Sequence, residues 1–166
     1  MTLYHFEIME KFDVKKQEAD DFKLLQEFNE ETFKLKHLGR RDGEANPIDA
    51  SGLTEDNRVI NIEIKSRGFS INKHPTLMLE THKGYSLQDE YIKQGNIPLY
   101  VNFLNDGNVV VFNLLKSSGY MERVETHSRL YGNKEFQYKL FLPIKNGWIY
   151  KKDENGKYKL MQKGWY

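Results

Sequence analysis

Two carboxylates and an ammonium stand close together in one stretch of this chain, Ile48–Lys65 (IDASGLTEDNRVINIEIK). Asp49 is followed after 13 residues by Glu63-Ile64-Lys65, and Ile60, Ile62 and Ile64 alternate with Val59, Asn61, Glu63 and Lys65. Alternate side chains of a strand point to opposite faces, so the isoleucines share one face and Glu63 shares the other with Lys65. Asp49 falls on a preceding strand, across a polar turn at Thr54–Asn57. A two-residue loop centred on Glu55–Asp56 puts Asp49 opposite Ile62, and one further loop residue puts it opposite Glu63. Either register leaves the two carboxylates within about one pair spacing, roughly 5–8 Å between Cβ atoms.

Neighbouring carboxylates repel unless a proton or a cation lies between them. All-oxygen ligation suits Mg²⁺ or Mn²⁺, which take one or two carboxylates and fill their remaining positions with water and substrate phosphate. Such an ion stabilises charge on a phosphoryl oxygen and lowers the pKa of a bound water. A lysine one pleat along the same face can orient or deprotonate that water, or neutralise the phosphate. Asp49, Glu63 and Lys65 thus form a minimal apparatus for hydrolysing a phosphodiester. The plain alternative is a surface salt bridge between Glu63 and Lys65.

The elements around the stretch must position it. Lys16–Lys36 carries Phe22, Leu25, Phe28 and Phe33, with Leu24 and Leu35, at three- and four-residue steps, which predicts an amphipathic helix stopped by Gly39. Glu18 and Asp21 extend its apolar face one turn earlier; they either complement the helix dipole or reach the site of Asp49 and Glu63. Lys36–Asn46 reads as a glycine-bearing surface loop with positive charge at Lys34, Lys36, Arg40 and Arg41. Ser66–Thr76 reads as a second basic loop, with Arg67 and Lys73. Leu77–Glu80 fits a short strand or a helix start, and Tyr85–Gln94 a second helix ending at Gly95. Glu80, His82 and Lys83 lie where they can approach the site but receive no role. Ile97–Leu104 and Asn108–Leu115 flank Asn105-Asp106-Gly107, a strong hairpin signal. Met121–Leu130 fits strand or helix, Phe136–Ile144 alternates, and Lys151–Lys163 reads as a polar hairpin around Asn155-Gly156. Met1–Asp13 is a lead-in strand or arm. The sum is an α/β (α+β) chain with a mixed central sheet flanked by helices.

Asp49 followed by Glu63-Ile64-Lys65 resembles the PD-(D/E)XK nuclease superfamily, the restriction-endonuclease-like fold. The order helix, strand with Asp, strand with Glu-x-Lys, helix, strand is similar to that family's αβββαβ core. The resemblance covers roughly Lys16–Leu115 and leaves a β-rich extension from about residue 116 to 166 of the same domain. It implies a divalent-metal-dependent endonuclease in which Asp49 and Glu63 hold Mg²⁺ or Mn²⁺ and Lys65 assists the nucleophilic water. Family members often add a glutamate from the first helix, and Glu18 is the nearest here. The resemblance also implies DNA over RNA, including branched or structured DNA, and a homodimer where two strands are cut. Arg40, Arg41, Arg67 and Lys73 flank the site in sequence and are the candidate phosphate contacts. Pro47-Ile48-Asp49 departs from the adjacent Pro-Asp of the motif, and Gln88-Asp89-Glu90-Tyr91 is one residue shorter than the glutamine-and-tyrosine motif of some members.

Composition sets the outer limits. The 166 residues suit one domain, 39% hydrophobic and 13% aromatic, with a formal net charge of +1 that gives no global attraction to nucleic acid. The absence of cysteine excludes disulfides and thiolate metal sites and suits the cytoplasm. No apolar run approaches the about 18 residues that a membrane span needs, so no membrane partner is expected. There is no phosphate-cradling glycine loop of the P-loop or dinucleotide type. Near-neutral charge and the aromatic tail (Trp148, Tyr150, Tyr158, Trp165) suit a second reading: a catalytically inactive nuclease-like fold that binds nucleic acid or a protein.

Overall fold

The computed structural model describes residues 14–41, 46–127 and 133–164. The lead-in Met1–Asp13, the middle of the first basic loop, the end of Met121–Leu130 and the closing Trp165–Tyr166 lie outside the described residues.

Helix α1 (Val14–Glu31) ends five residues before the expected Lys36. Asn29 explains the early stop. Its buried amide accepts from the Leu35 N–H at 2.9 Å and donates to the Leu35 carbonyl at 3.1 Å, which draws the chain out of the helix through Lys34 at φ +53°. The residues expected as a loop then form strand β1 (Lys36–Arg40), bulged between Lys36 and Gly39. An exposed edge strand pairs through its backbone alone and needs no apolar alternation, so its sequence carries little strand signal.

Strand β2 (Ala50–Leu53) pairs antiparallel with β3 (Val59–Arg67) in the register Ala50↔Ile62, Ser51↔Asn61. Continued one residue, that register sets Asp49 opposite Glu63, the longer-loop alternative. Strand β4 (Thr76–Glu80) runs directly into helix α2 (Thr81–Gln94), which begins four residues before the expected Tyr85. Gly95 closes it at φ +75°, its N–H donating to the Tyr91 carbonyl. Strands β5 (Ile97–Leu104) and β6 (Asn108–Asn113) form the expected hairpin, with Gly107 at φ +80° in the turn. The tail supplies β7 (Tyr120–His127), β8 (Lys134–Pro143), β9 (Trp148–Lys152) and β10 (Tyr158–Gln162).

The strands assemble as a seven-stranded mixed sheet, β1-β2-β3-β5-β6-β9-β10, and a three-stranded sheet, β4-β8-β7. The pair β3–β5 is parallel, and α2 lies in the connection between them. On one face of the large sheet Ile60, Ile62, Ile64, Val101 and Phe103 pack against Leu25 and Phe28 of α1. On the other, Tyr100, Val110 and Phe112 pack against Leu87 of α2 and Leu77, Leu79 and Leu142 of the small sheet. This is an α+β architecture with a central mixed sheet and helices on both faces, in the order that the nuclease resemblance implies with β4 added. The C-terminal strands are built into both sheets: β9 pairs with β6, and β8 with β4. No helix among the described residues is long and apolar enough to cross a membrane.

Candidate active site

The odd-numbered side chains of β3, Asn61, Glu63, Lys65 and Arg67, point away from α1 toward α2 and the small sheet. Each sits in a different electrostatic setting.

Asn61 has 0% exposure. It accepts from the Ser51 hydroxyl at 2.7 Å and donates to Glu90 Oε2 of α2 at 2.7 Å. Glu90 also receives the Arg41 guanidinium at 2.9 and 3.2 Å and the Asn96 amide at 3.3 Å. These donors hold its carboxyl below the ordinary value against the opposing effect of burial. The motif around Gln88–Tyr91 therefore contributes a structural lock between α2 and the sheet.

Glu63 is 1% exposed. One oxygen, Oε1, takes the ammonium of Lys83 from the first turn of α2; the other, Oε2, is buried and receives no donor among the described residues. Asp49, expected on the strand, is the residue just before β2, where the Ile64 N–H donates to its Oδ2 at 2.8 Å and fixes it. Burial, then the charge of Asp49, push the Glu63 carboxyl up to about 8 against the pull of Lys83. Lys83 itself is held above its ordinary value by Glu63, Asp49 and Glu80, which outweigh its own desolvation. The ion pair that Glu63 makes is thus with Lys83 and not with Lys65.

Lys65 lies half-buried near Glu80 at the end of β4. Lys65, Lys83, Lys139 and His82 together hold the Glu80 carboxyl below its usual value despite desolvation. Lys139 of β8 is nearly buried, with its ammonium 3.9 Å from Glu80. Three lysines and three carboxylates, from β3, β4, α2, β8 and the residue before β2, therefore form one connected charge cluster.

The structure brings Asp49 and Glu63 together, with Lys65 on the same face, and leaves Glu18 elsewhere. Glu18 contacts Arg40 at 3.4 Å on the surface. Among the described residues no three His, Cys, Asp or Glu side chains gather as a metal cluster, so the set Asp49, Glu63, Glu18 does not assemble. The α1 carboxylate that reaches β3 is Asp21, which accepts from Ser66 at 2.6 Å, and Ser66 lies on the face opposite Glu63. Besides Arg40, paired with Glu18 at the surface, two of the candidate phosphate contacts are engaged within the fold. Arg41 is paired with Glu90. Arg67, expected in a loop, is the last residue of β3, and its guanidinium donates to the Met78 carbonyl, the Tyr100 hydroxyl and Asn102. A guanidinium so satisfied braces β3, β4 and β5 and has few donors left for a phosphate. Arg40 and Lys73 are exposed.

Sequence reasoning gave Lys83 no role. The signal was a first helical turn with basic residues, His82 and Lys83, and no acid. A cation there opposes the helix dipole, so another partner must hold it in place; that partner is Glu63.

No protein-family model matches the chain, and no curated protein matches it. Among solved structures it is similar to Hjc, a Holliday junction resolvase from the archaeal hyperthermophile Archaeoglobus fulgidus. The identity is 16% and the TM-score 0.44, over 75% of this chain and 85% of that one.

Proposed function

We propose that the chain is a divalent-metal-dependent nuclease that hydrolyses phosphodiester bonds of nucleic acid, with DNA as the preferred substrate. One observation carries the reading. Glu63 is buried beside a second carboxylate, Asp49, and among the described residues no donor reaches its Oε2. A fold that only needed to fill this position would use an apolar side chain, because a buried carboxylate without full compensation is costly. Two close carboxylates and a spare buried oxygen are a donor set that suits Mg²⁺ or Mn²⁺.

When bound there, the ion would supply charge stabilisation at the phosphoryl oxygens and a more acidic water. The chain's own residues do the rest. Glu63 of β3 and Asp49, just before β2, offer carboxylate oxygens, and the Ile64 N–H holds Asp49 in one orientation. Lys65, one pleat beyond Glu63, orients the attacking water or neutralises the phosphate. Exposed Arg40 and Lys73 add nonspecific phosphate contacts at the margin, which makes binding weaken as salt rises.

The test is cleavage of supercoiled plasmid, linear duplex, branched duplex, single-stranded DNA and RNA with Mg²⁺ and then Mn²⁺. Asp49→Ala, Glu63→Ala and Lys65→Ala should each lower the rate by about 10²-fold or more, the scale for loss of a transition-state charge contact. A wild type that cuts none of these substrates, or a triple variant that cuts as fast as the wild type, overturns the reading.

One observation favours a second reading. The Lys83 ammonium already supplies Glu63 with a cation, as it would in a site that has given up its metal. The chain would then be an inactive nuclease-like fold that binds nucleic acid or a protein, and the same substrates should bind without being cut.

A further inference from the structure

Lys83 stands in the first turn of α2, where the positive end of the helix disfavours a cation. It is nevertheless paired, with its ammonium on the buried Oε1 of Glu63. Three carboxylates face it: Glu63 and Asp49 from the large sheet and Glu80 from the end of β4. The other charged groups around Glu80 are Lys65, Lys139 and His82. The Lys83 side chain is 26% exposed, so it has solvent to move into, whereas Glu63 at 1% has none.

We propose that Lys83 is a built-in counter-cation, which holds Glu63 while the site is empty of metal and gives that carboxylate up for Glu80 when a divalent cation enters. The inference rests on Asp49 and Glu63 being the metal-holding pair. An ionised carboxylate buried and wholly unpaired is strongly destabilising, so wherever Glu63 is ionised some cation must attend it. An ammonium and a divalent ion on the same carboxylate would repel each other, so the mobile one must leave. Glu80 gives it a second partner within the same cluster. Lys83 therefore competes with the metal and keeps metal affinity below what two carboxylates alone would give.

The test uses the full chain without nucleic acid, titrated with Mn²⁺ by calorimetry and by the loss of the free-ion electron paramagnetic resonance signal at pH 8.5. Lys83→Met should bind Mn²⁺ at least roughly tenfold more tightly than wild type, because even at an effective dielectric constant of about 20 a neighbouring positive charge strongly opposes a divalent one. Lys83→Gln, which can still hydrogen-bond to Glu63, should tighten binding likewise if Lys83→Met folds poorly. Lys83→Arg keeps the charge and should stay near wild type. Neutral variants that bind Mn²⁺ no tighter than wild type, or a set in which no variant binds Mn²⁺, overturn the inference. The nuclease reading fails separately: a chain whose Mn²⁺ affinity rises in Lys83→Met but which cuts nothing keeps the counter-cation and loses the enzyme.

Discussion

Glu63→Gln should change how stability depends on pH, and the structure sets both sign and size. The carboxyl has an ordinary value of 4.5 and is pushed up to about 8 in the fold, chiefly by burial and then by Asp49. A group raised on folding contributes stability that is fully present below its unfolded value and is lost as pH climbs through its folded value. The window therefore runs from about pH 4.5 to about pH 8, with stability falling as pH rises and flat beyond. At 1.36 kcal/mol per pH unit the loss from this one group comes to at most about 5 kcal/mol, and its near-complete burial calls for no discount for solvent screening. Glutamine stays neutral throughout. Its Oε1 can accept from Lys83 while its Nε2 donates to Asp49, a bond that an ionised glutamate cannot make. Urea unfolding in EDTA from pH 5 to pH 8.5 should show wild type losing ground steadily to Glu63→Gln, with the variant a few kcal/mol more stable at the top of the range. If the difference between the two is constant between pH 5 and pH 8, Glu63 is not a raised carboxyl, and the electrostatic description of the site is wrong.

Other expectations follow from the same geometry. Adding Mg²⁺ or Mn²⁺ at pH 8 should stabilise wild type but not Asp49→Ala, by about 2.7 kcal/mol at a hundred times the dissociation constant; calorimetric unfolding with and without metal reads this directly. Glu90→Ala leaves the buried Asn61 amide without its acceptor and Arg41 without its partner, and should cost about 1–3 kcal/mol in urea unfolding; a neutral result would mean that the α2–β3 lock contributes nothing. Phe28 is fully buried, with its ring edge-to-face with Phe33, Phe103, Tyr150 and Tyr158. Phe28→Ala should destabilise by about 3–5 kcal/mol in the same assay.

Strand β3 was legible because both of its faces carry strong and different signals: isoleucines against α1 on one, charge on the other. The register of Asp49 was legible only to within one residue. Hydrophobic alternation fixes which face a residue takes, but the loop length decides its cross-strand partner. Thr54–Arg58 is that loop, closed by the Thr54 N–H donating to the Arg58 carbonyl at 2.9 Å, with Asn57 at φ +63°. Arg67 misled because a basic residue near glycine and serine looks like a loop residue; its role depends on Met78, Tyr100 and Asn102, which are distant in sequence. The start of α2 was hidden because Thr81, His82, Lys83 and Gly84 show no apolar periodicity. Gly84 resembles a breaker, yet it is buried, and a Cβ there would sit 3.5 Å from Leu79 Cδ2. Once the helix is begun four residues late, Lys83 drops out of it and the site loses a member.

The position of Lys83 follows from the other end of α2. Lys83, Leu87 and Glu90 are spaced i, i+4, i+7, so they form one stripe on one face of the helix. Leu87 is fully buried in the core beneath the stripe. Asn61 and Glu63, two residues apart on β3, also share a face. Glu90 meets Asn61 and Lys83 meets Glu63, so helix and strand run in opposite senses with polar contacts at both ends of an apolar one. Hydrophobic periodicity registers only the leucine in such a stripe. The Glu90 contacts with Arg41, Asn61 and Asn96 are made mostly outside the charge cluster, yet they fix where α2 lies along β3, and hence which β3 side chain Lys83 can reach. A slip of two residues along the strand would present Lys83 to Asn61 or Lys65, and Glu63 would be left buried without a cation. The lock at Glu90 and the counter-charge at Glu63 are therefore one requirement on the register of α2 against β3.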